Sequence, residues 1–363
     1  MDNRFDPFFL AMNILVFSGL YDHKLISKLA PLLALESVKR IFLLRNTPLD
    51  IPCVMSFSPP VFMNFPGMRE LYKIVKGISL CLTGKIDLVI GIYFRPHGWF
   101  SSFLGKSFGI PYILDFIGND VDFFCRFSFI FKGMLRGARW IGVRGSNSRF
   151  RLGRYIKDRS RLFVHHNVFS FPIRPRSYPS LKNIDILCIA DFSRVKRMDL
   201  FLKTCARLKK TFPSLKAVML GGGNRRSWYD RLRKRLGLEY NVRFAGKVKD
   251  VYSFLKRSRV FMLTSEAEGL PMALIEAMGT GIPCVVPDVG DISDIAKDGQ
   301  NALVVSSRDP REFAAKVECL LANDAYSACL SREAIKTILN MRKEFSLPFN
   351  RDIWERLLRE ING

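Results

Sequence analysis

The stretch Ser265-Glu266-Ala267-Glu268-Gly269-Leu270-Pro271-Met272-Ala273-Leu274-Ile275-Glu276-Ala277-Met278-Gly279 carries the most structural information in the chain. The apolar run Val260–Leu263 ahead of it reads as a strand, and the pattern after Pro271 reads as a helix. Pro271 suits the first helical position, because the N–H it lacks is one that a helix leaves unpaired there. The amides of Gly269 and Leu270 then stand at a helix N-terminus, where backbone donors and the helix dipole favour a phosphate. Gly269 has no side chain to hold a ligand away from the backbone. Glu268 and Glu276 bracket this turn, the second about 7–8 Å along the helix axis. Two carboxylates so placed suit a phosphorylated ligand rich in hydroxyls. Taken alone, they are also ordinary residues of a helix start.

Outward from this block, short apolar runs alternate with amphipathic stretches, the pattern of repeated βα units and parallel sheets. Strands are expected at Asn13–Phe17, Arg40–Leu44, Leu88–Tyr93, Tyr112–Asp115, Trp140–Val143 and Leu162–Val164. A second set falls at Ile184–Ala190, Ala217–Leu220, Val242–Phe244, Val260–Leu263, Pro283–Val286 and Leu303–Val305. Helices are expected at Met198–Lys210, Arg226–Leu236 and Pro310–Leu321. Between the two sets, 167–182 holds Pro172, Pro175 and Pro179 with no periodicity, a linker composition. The 363-residue length fits two domains, placed at 1–166 and 183–348. The tail 349–363 has helical apolar spacing and is expected to pack back on the first domain. The fold class is therefore α/β, two Rossmann-like domains facing a cleft, with ligands beyond the strand C-termini.

The order of landmarks from Ile184 to Asp324 resembles glycosyltransferase family 4, the retaining GT-B enzymes with a glycosyltransferase group 1 domain. These landmarks are Asp191-Phe192-Ser193-Arg194-Val195-Lys196, Gly221-Gly222-Gly223, Gly246-Lys247-Val248, the Glu268-to-Glu276 block and Gly281-Ile282-Pro283. The resemblance implies a nucleotide-sugar donor, UDP- or GDP-linked, as substrate, with no further cofactor and no metal. It places Glu276 on the donor's ribose and Glu268 with Gly269, Leu270 and Pro271 at the sugar and diphosphate. Lys196 would neutralise the diphosphate, and Lys247 and Val248 would lie against the base. The family's usual arginine five residues before that lysine is Asp191 here, which makes Arg194 the candidate second cation. The first domain would bind a glycan or lipid-linked acceptor, in cell-surface polysaccharide or glycolipid synthesis.

Similarity is thinner over 12–166. Leu114–Val121 resembles a family segment after a strand, with Ile117 where a histidine often stands. Asp120 remains as a carboxylate candidate, and His97, in Arg95-Pro96-His97-Gly98, follows another strand. A lone histidine also reads as a satisfied turn residue. Asp120-Val121-Asp122 has the spacing of a metal pair but lies away from the donor block, and His165-His166 reads as structural.

The net charge of +24 calls for an anionic partner. Between Phe123 and Arg161, 11 basic residues face Asp158 alone, and Phe123–Arg136 interleaves aromatics with cations. Read as one helix, it is either a buried element or an interfacial segment on an anionic membrane surface. Nucleic acid is the rival partner, but no zinc-finger, helix-turn-helix or RNP pattern accompanies the charge. A scaffold that binds donor without turnover is a further alternative, as is an epimerase. The cysteines have no C-x-x-C spacing, and most lie in apolar stretches, as buried thiols of a cytoplasmic protein would. No signal-peptide pattern and no long apolar window is present, so a soluble or peripheral protein on the inner face of the plasma membrane is expected.

Overall fold

The structure, a computed structural model, describes residues 11–63, 65–169 and 182–362. The first half runs β1 Met12–Phe17, α1 Asp22–Leu33, β2 Val38–Leu44, β3 Val54–Phe57, α2 Met68–Leu82, β4 Leu88–Ile92 and α3 Trp99–Phe108. It continues with β5 Tyr112–Asp115, α4 Asp120–Arg126, α5 Ser128–Gly137, β6 Trp140–Val143, α6 Ser146–Leu152 and β7 Leu162–Val164. The second half begins β8 Ile184–Ile189, α7 Met198–Thr211, β9 Ala217–Leu220, α8 Arg226–Arg235, β10 Val242–Gly246, α9 Val251–Arg257 and β11 Ser258–Met262. It ends α10 Met272–Thr280, β12 Cys284–Pro287, β13 Leu303–Val305, α11 Pro310–Ala322, α12 Asp324–Met341 and α13 Leu347–Asn362.

The chain divides into two compact units, Met1–Ser170 with Lys343–Gly363, and Phe171–Arg342. Residues 343–348, expected with the second domain, cluster with the first. Of the expected linker, 170–181 lie outside the described residues.

Each unit is built on one parallel sheet. The strand orders are β3-β2-β1-β4-β5-β6-β7 and β10-β9-β8-β11-β12-β13. In each, the unit's first strand lies between its second and its fourth, so the winding reverses there. Open parallel sheets bind ligands beyond their strand C-termini at that reversal. It falls between β1 and β4 in the first unit and between β8 and β11 in the second.

The first sheet is covered on both faces. Leu15, Phe17, Val89, Leu114 and Ile141 form one core with α2, α3, α4 and α5. Ile14, Val16, Ile90 and Ile113 point the other way and meet α1 and α13, whose Trp354, Leu357 and Leu358 are buried. Alternate residues serving opposite faces is the period-2 geometry of a strand.

Three expectations change. β3 was not foreseen: it is an edge strand of only four residues with no fully buried side chain, set between Pro52 and Pro59-Pro60. The expected single helix over Phe123–Arg136 is broken at Phe127 (φ −117°, ψ 26°) into α4 and α5. Its aromatics divide accordingly: Phe124 is fully buried, Phe123 and Phe131 pack on the core, and Phe129 and Ile130 are exposed. Among the cysteines, Cys81, Cys188, Cys205 and Cys284 are buried, whereas Cys53, Cys319 and Cys329 are exposed. Among the described residues, no helix is long and apolar enough to cross a membrane.

Candidate active site

In the second unit the loops after β8 and β11 meet at the reversal. Lys196, on the single helical turn Arg194–Lys196 after β8, donates to both oxygens of Glu268 at 2.7 and 2.8 Å. Glu268 is 8% exposed, so this carboxylate is taken out of water and held by a forked, charge-assisted contact. The two loops are also stitched through their backbones. Glu266 N–H donates to Val195 O at 2.7 Å, and the Thr264 hydroxyl donates to Lys196 O and Arg197 O at 3.2 and 3.0 Å. From outside, Arg308 donates to Ser265 O and Glu266 O at 2.8 and 3.0 Å.

Glycine fixes two of the approaches. Gly290, just past β12, has φ +57°, and a β-carbon there would stand 1.7 Å from Glu268 O. Gly221, past β9, has φ +134°, and a β-carbon would stand 1.9 Å from Ala190 O. Any side chain at either position would push the converging loops apart.

Helix α10 starts one residue later than expected. Pro271 has extended angles (φ −75°, ψ 117°) and caps the helix, and Met272 is its first residue. The amides of Gly269 and Leu270 therefore precede the helix by a bend. Glu276 lies half-buried in the second turn, where its own carbonyl accepts from the Thr280 hydroxyl at 2.7 Å. Among the described residues, the buried Ser265 Oγ has no hydrogen-bond partner. Past β10, Lys247 passes over Gly222, with Val248 half-buried beside it.

Of the cations after β8, Arg194 is exposed, while Arg197 is committed to Asp199 through a fork of 2.9 and 3.0 Å. Asp191, where an arginine stood in the resemblance, is exposed, and its side chain accepts from Ser193 N–H at 3.3 Å. Gly290, Thr264 and Arg308 carried no sequence signal, because each acts across 22 to 68 residues of chain.

His97 and Asp120 belong to the first unit, where both hang on the segment after β4. His97 is buried with Nδ1 3.0 Å from Ile92 O and Nε2 3.2 Å from the Lys73 ammonium. Burial, then the Lys73 charge, push its pKa down to about 3, so the ring is neutral and both nitrogens are engaged. These two partners hold the ring in the turn after β4. Asp120 Oδ2 accepts from Phe94 N–H and Ile117 N–H at 2.8 and 3.0 Å. Burial raises its carboxyl, the two amides pull it back, and the balance sits at about 7. Asp122 pairs with Arg151 at 2.6 Å, so the two aspartates of that spacing serve different partners. Among the described residues, no group of three or more His, Cys, Asp or Glu is placed to hold a metal ion.

A larger charged cluster was not foreseen. Asp115, at the end of β5, is fully buried with Lys28 at 2.8 Å, Arg144 at 3.0 Å and His165 at 2.9 Å. Gly142 leaves room for it: a β-carbon there would stand 2.8 Å from Asp115 Oδ1.

A unit of this topology, with a lysine and a glutamate locked at the reversal ahead of a helix, is one half of a GT-B fold. Residues 172–337 match the family described as Glycosyl transferases group 1, and this part of the chain is such a domain. The chain is 24% identical over 329 residues to the uncharacterized glycosyltransferase MJ1178 of Methanocaldococcus jannaschii, covering 85% of this chain and 83% of that one. It is 27% identical over 226 residues, 61% of this chain and 60% of the relative, to a Campylobacter jejuni enzyme. That relative is named GalNAc-alpha-(1->4)-GalNAc-alpha-(1->3)-diNAcBac-PP-undecaprenol alpha-1,4-N-acetyl-D-galactosaminyltransferase. Apart from MJ1178, the chain spans about half or less of the length of most curated relatives it matches. In three dimensions it is similar to Anabaena Alr3699/HepE, solved with UDP and glucose, with a TM-score of 0.74. That likeness covers 96% of this chain and 100% of that chain at 16% identity, and it shows the GT-B fold.

Proposed function

We propose that this protein is a retaining, metal-independent glycosyltransferase of family 4. It moves a hexose from a UDP- or GDP-linked donor to a glycan or lipid-linked acceptor, in cell-surface polysaccharide or glycolipid assembly. It works in the cytoplasm, peripherally on the inner face of the plasma membrane. The observation that carries the reading is the Lys196–Glu268 lock at the β8–β11 reversal, next to the amides ahead of α10. The second unit takes the donor. Lys196, Arg194 and the Gly269 and Leu270 amides receive the diphosphate, Glu268 the sugar, Glu276 the ribose, and Lys247 with Val248 the base. When the bond between sugar and diphosphate breaks, negative charge grows on the leaving oxygen, where fixed donors are most effective. Asp120 and His97 are the acceptor-side candidates, joined through the segment after β4, whose Phe94 N–H donates to Asp120. Support for these ligands comes from relatives: HepE was solved with UDP, and the Campylobacter enzyme's name contains a PP-undecaprenol acceptor.

Nucleotide binding is testable without an acceptor. Calorimetry with UDP, GDP and their sugars should show one of the two nucleotides binding the wild-type protein. Glu276→Ala should bind that nucleotide roughly ten- to a hundredfold more weakly, since a hydrogen bond to a charged group is worth about 1.5–3 kcal/mol. A folded variant with unchanged affinity would remove Glu276 from the ribose.

Turnover should also persist in excess EDTA, with Lys196, Arg194 and the amides doing what a cation would. Arg197 is no part of this clamp, because Asp199 holds it. Loss of activity that magnesium or manganese restores would overturn metal independence.

A further inference from the structure

The outer surface of α2, α3 and α5 is apolar where a solvated surface would be polar. On α2, Lys73, Gly77 and Cys81 form the buried side. Met68, Leu71, Val75 and Leu82 point the opposite way and are 41%, 50%, 55% and 71% exposed. At 3.6 residues per turn these four fall on one stripe along the whole helix. The stripe continues upstream into Val61, Phe62 and Phe65, which are 89%, 75% and 62% exposed. α2 packs on α3, and α3 on α5. All three lie over the same core on one face of the first sheet, so their outer sides form a continuous surface. Phe103 of α3 and Phe129 and Ile130 of α5 are exposed on it as well.

The unpaired exposed charges on these elements are cations. Lys106 of α3, Arg126 of α4, and Lys132 and Arg136 of α5 are exposed. Of the three carboxylates of α2–α5, Glu70 and Asp122 reach solvent but are paired, with Lys73 and Arg151 at 2.6 Å each, and Asp120 is buried. Large apolar side chains among cations, with no carboxylate left over, complement a layer that is anionic outside and hydrocarbon beneath. Protein interfaces, by contrast, are depleted in lysine.

We infer that this protein docks on an anionic lipid bilayer through the face made by Val61, Phe62, Phe65, α2, α3 and α5. This deepens the peripheral placement proposed above and relocates it. The aromatics Phe123, Phe124 and Phe131 of the basic segment belong to the core, and α2 supplies four of the ten exposed apolar side chains of the face. The surface observations stand whether or not the chain transfers a sugar.

Sedimentation with vesicles tests this without any nucleotide, so its outcome is separate from that of donor binding. The wild-type protein should pellet with vesicles of equal phosphatidylglycerol and phosphatidylcholine at least tenfold more strongly than with phosphatidylcholine alone. The triple variant Phe62→Ser, Leu71→Ser, Phe129→Ser and, separately, Lys106→Gln, Lys132→Gln, Arg136→Gln should each lose at least tenfold in affinity. All six side chains are solvent-exposed, and circular dichroism should match the wild type. Full binding by the apolar variant would overturn the proposal. So would a wild-type protein that ignores both vesicles, whether it stays monomeric or self-associates through this face, in which case the occupant is a second copy.

Discussion

Glu268→Gln should lower turnover by roughly 10²–10³ while leaving the fold and nucleotide affinity nearly intact. The carboxylate is 8% exposed, and each of its oxygens accepts a hydrogen bond from one ammonium. A carboxamide keeps the shape and one acceptor for Lys196 but loses the charge. Removing one preorganised electrostatic group from an active site typically costs about 10²–10³ in kcat. Lys196 is partly exposed, so its positive charge is not stranded and stability should change little. Release of free sugar from the donor supplies the readout before the acceptor is known, because water can take the acceptor's place. Calorimetry of the nucleoside diphosphate separates binding from chemistry. Wild-type turnover in the glutamine variant would remove Glu268 from the sugar site. A loss confined to nucleotide affinity would reassign it to the diphosphate.

Asp115→Ala should destabilise the first unit by about 3–5 kcal/mol, because it leaves Lys28 and Arg144 buried without a counter-charge. For a unit of this size that corresponds to a fall in Tm of roughly 6–20 °C. Tryptophan fluorescence is a suitable probe, since the Trp354 ring lies 5.5 Å from His165 in the same cluster. A variant that melts with the wild type would show that water or rearrangement compensates the two cations.

The cluster also sets a pH dependence. Burial alone would raise the Asp115 carboxyl, but Arg144, Lys28 and His165 outweigh it and hold it well below the usual carboxylate range. Its contribution is therefore present above the unfolded value of about 3.9 and is lost as pH falls below that. Burial and the Lys28 charge push His165 well down as well. Below about pH 6.5 the unfolded imidazole takes up a proton that the folded one refuses, so stability starts to fall there. In Asp115→Ala the carboxyl part of the profile should vanish.

Much of the second unit was legible because its landmarks are local. β9 and β13 occupy the expected residues, since a run of three or four buried apolar residues between breakers has few other uses. Gly269-Leu270-Pro271, between the apolar run Val260–Leu263 and the helical pattern after it, announced a helix start to within the one residue by which Pro271 proved a cap. α2 was not legible: its apolar residues spread over more than half its circumference, and periodicity does not say which part meets the sheet. The break at Phe127 was hidden for the same reason, in a segment apolar on every side.

By itself, then, the sequence determined the alternation of strand and helix, the two sets of strands and the candidate donor residues. These depend on neighbours two to eight positions apart, whose relations the backbone geometry fixes in advance. Only the tertiary structure decided which charges meet. Lys196 reaches Glu268 across 72 residues, Lys28 reaches Asp115 across 87, and Trp354 closes on His165 across 189. It also decided that His97 has both nitrogens engaged, and that the apolar side of α2 faces outward. Such pairings are set by strand order and helix packing, in which distant segments compete for one partner, and no local pattern records which of them arrives.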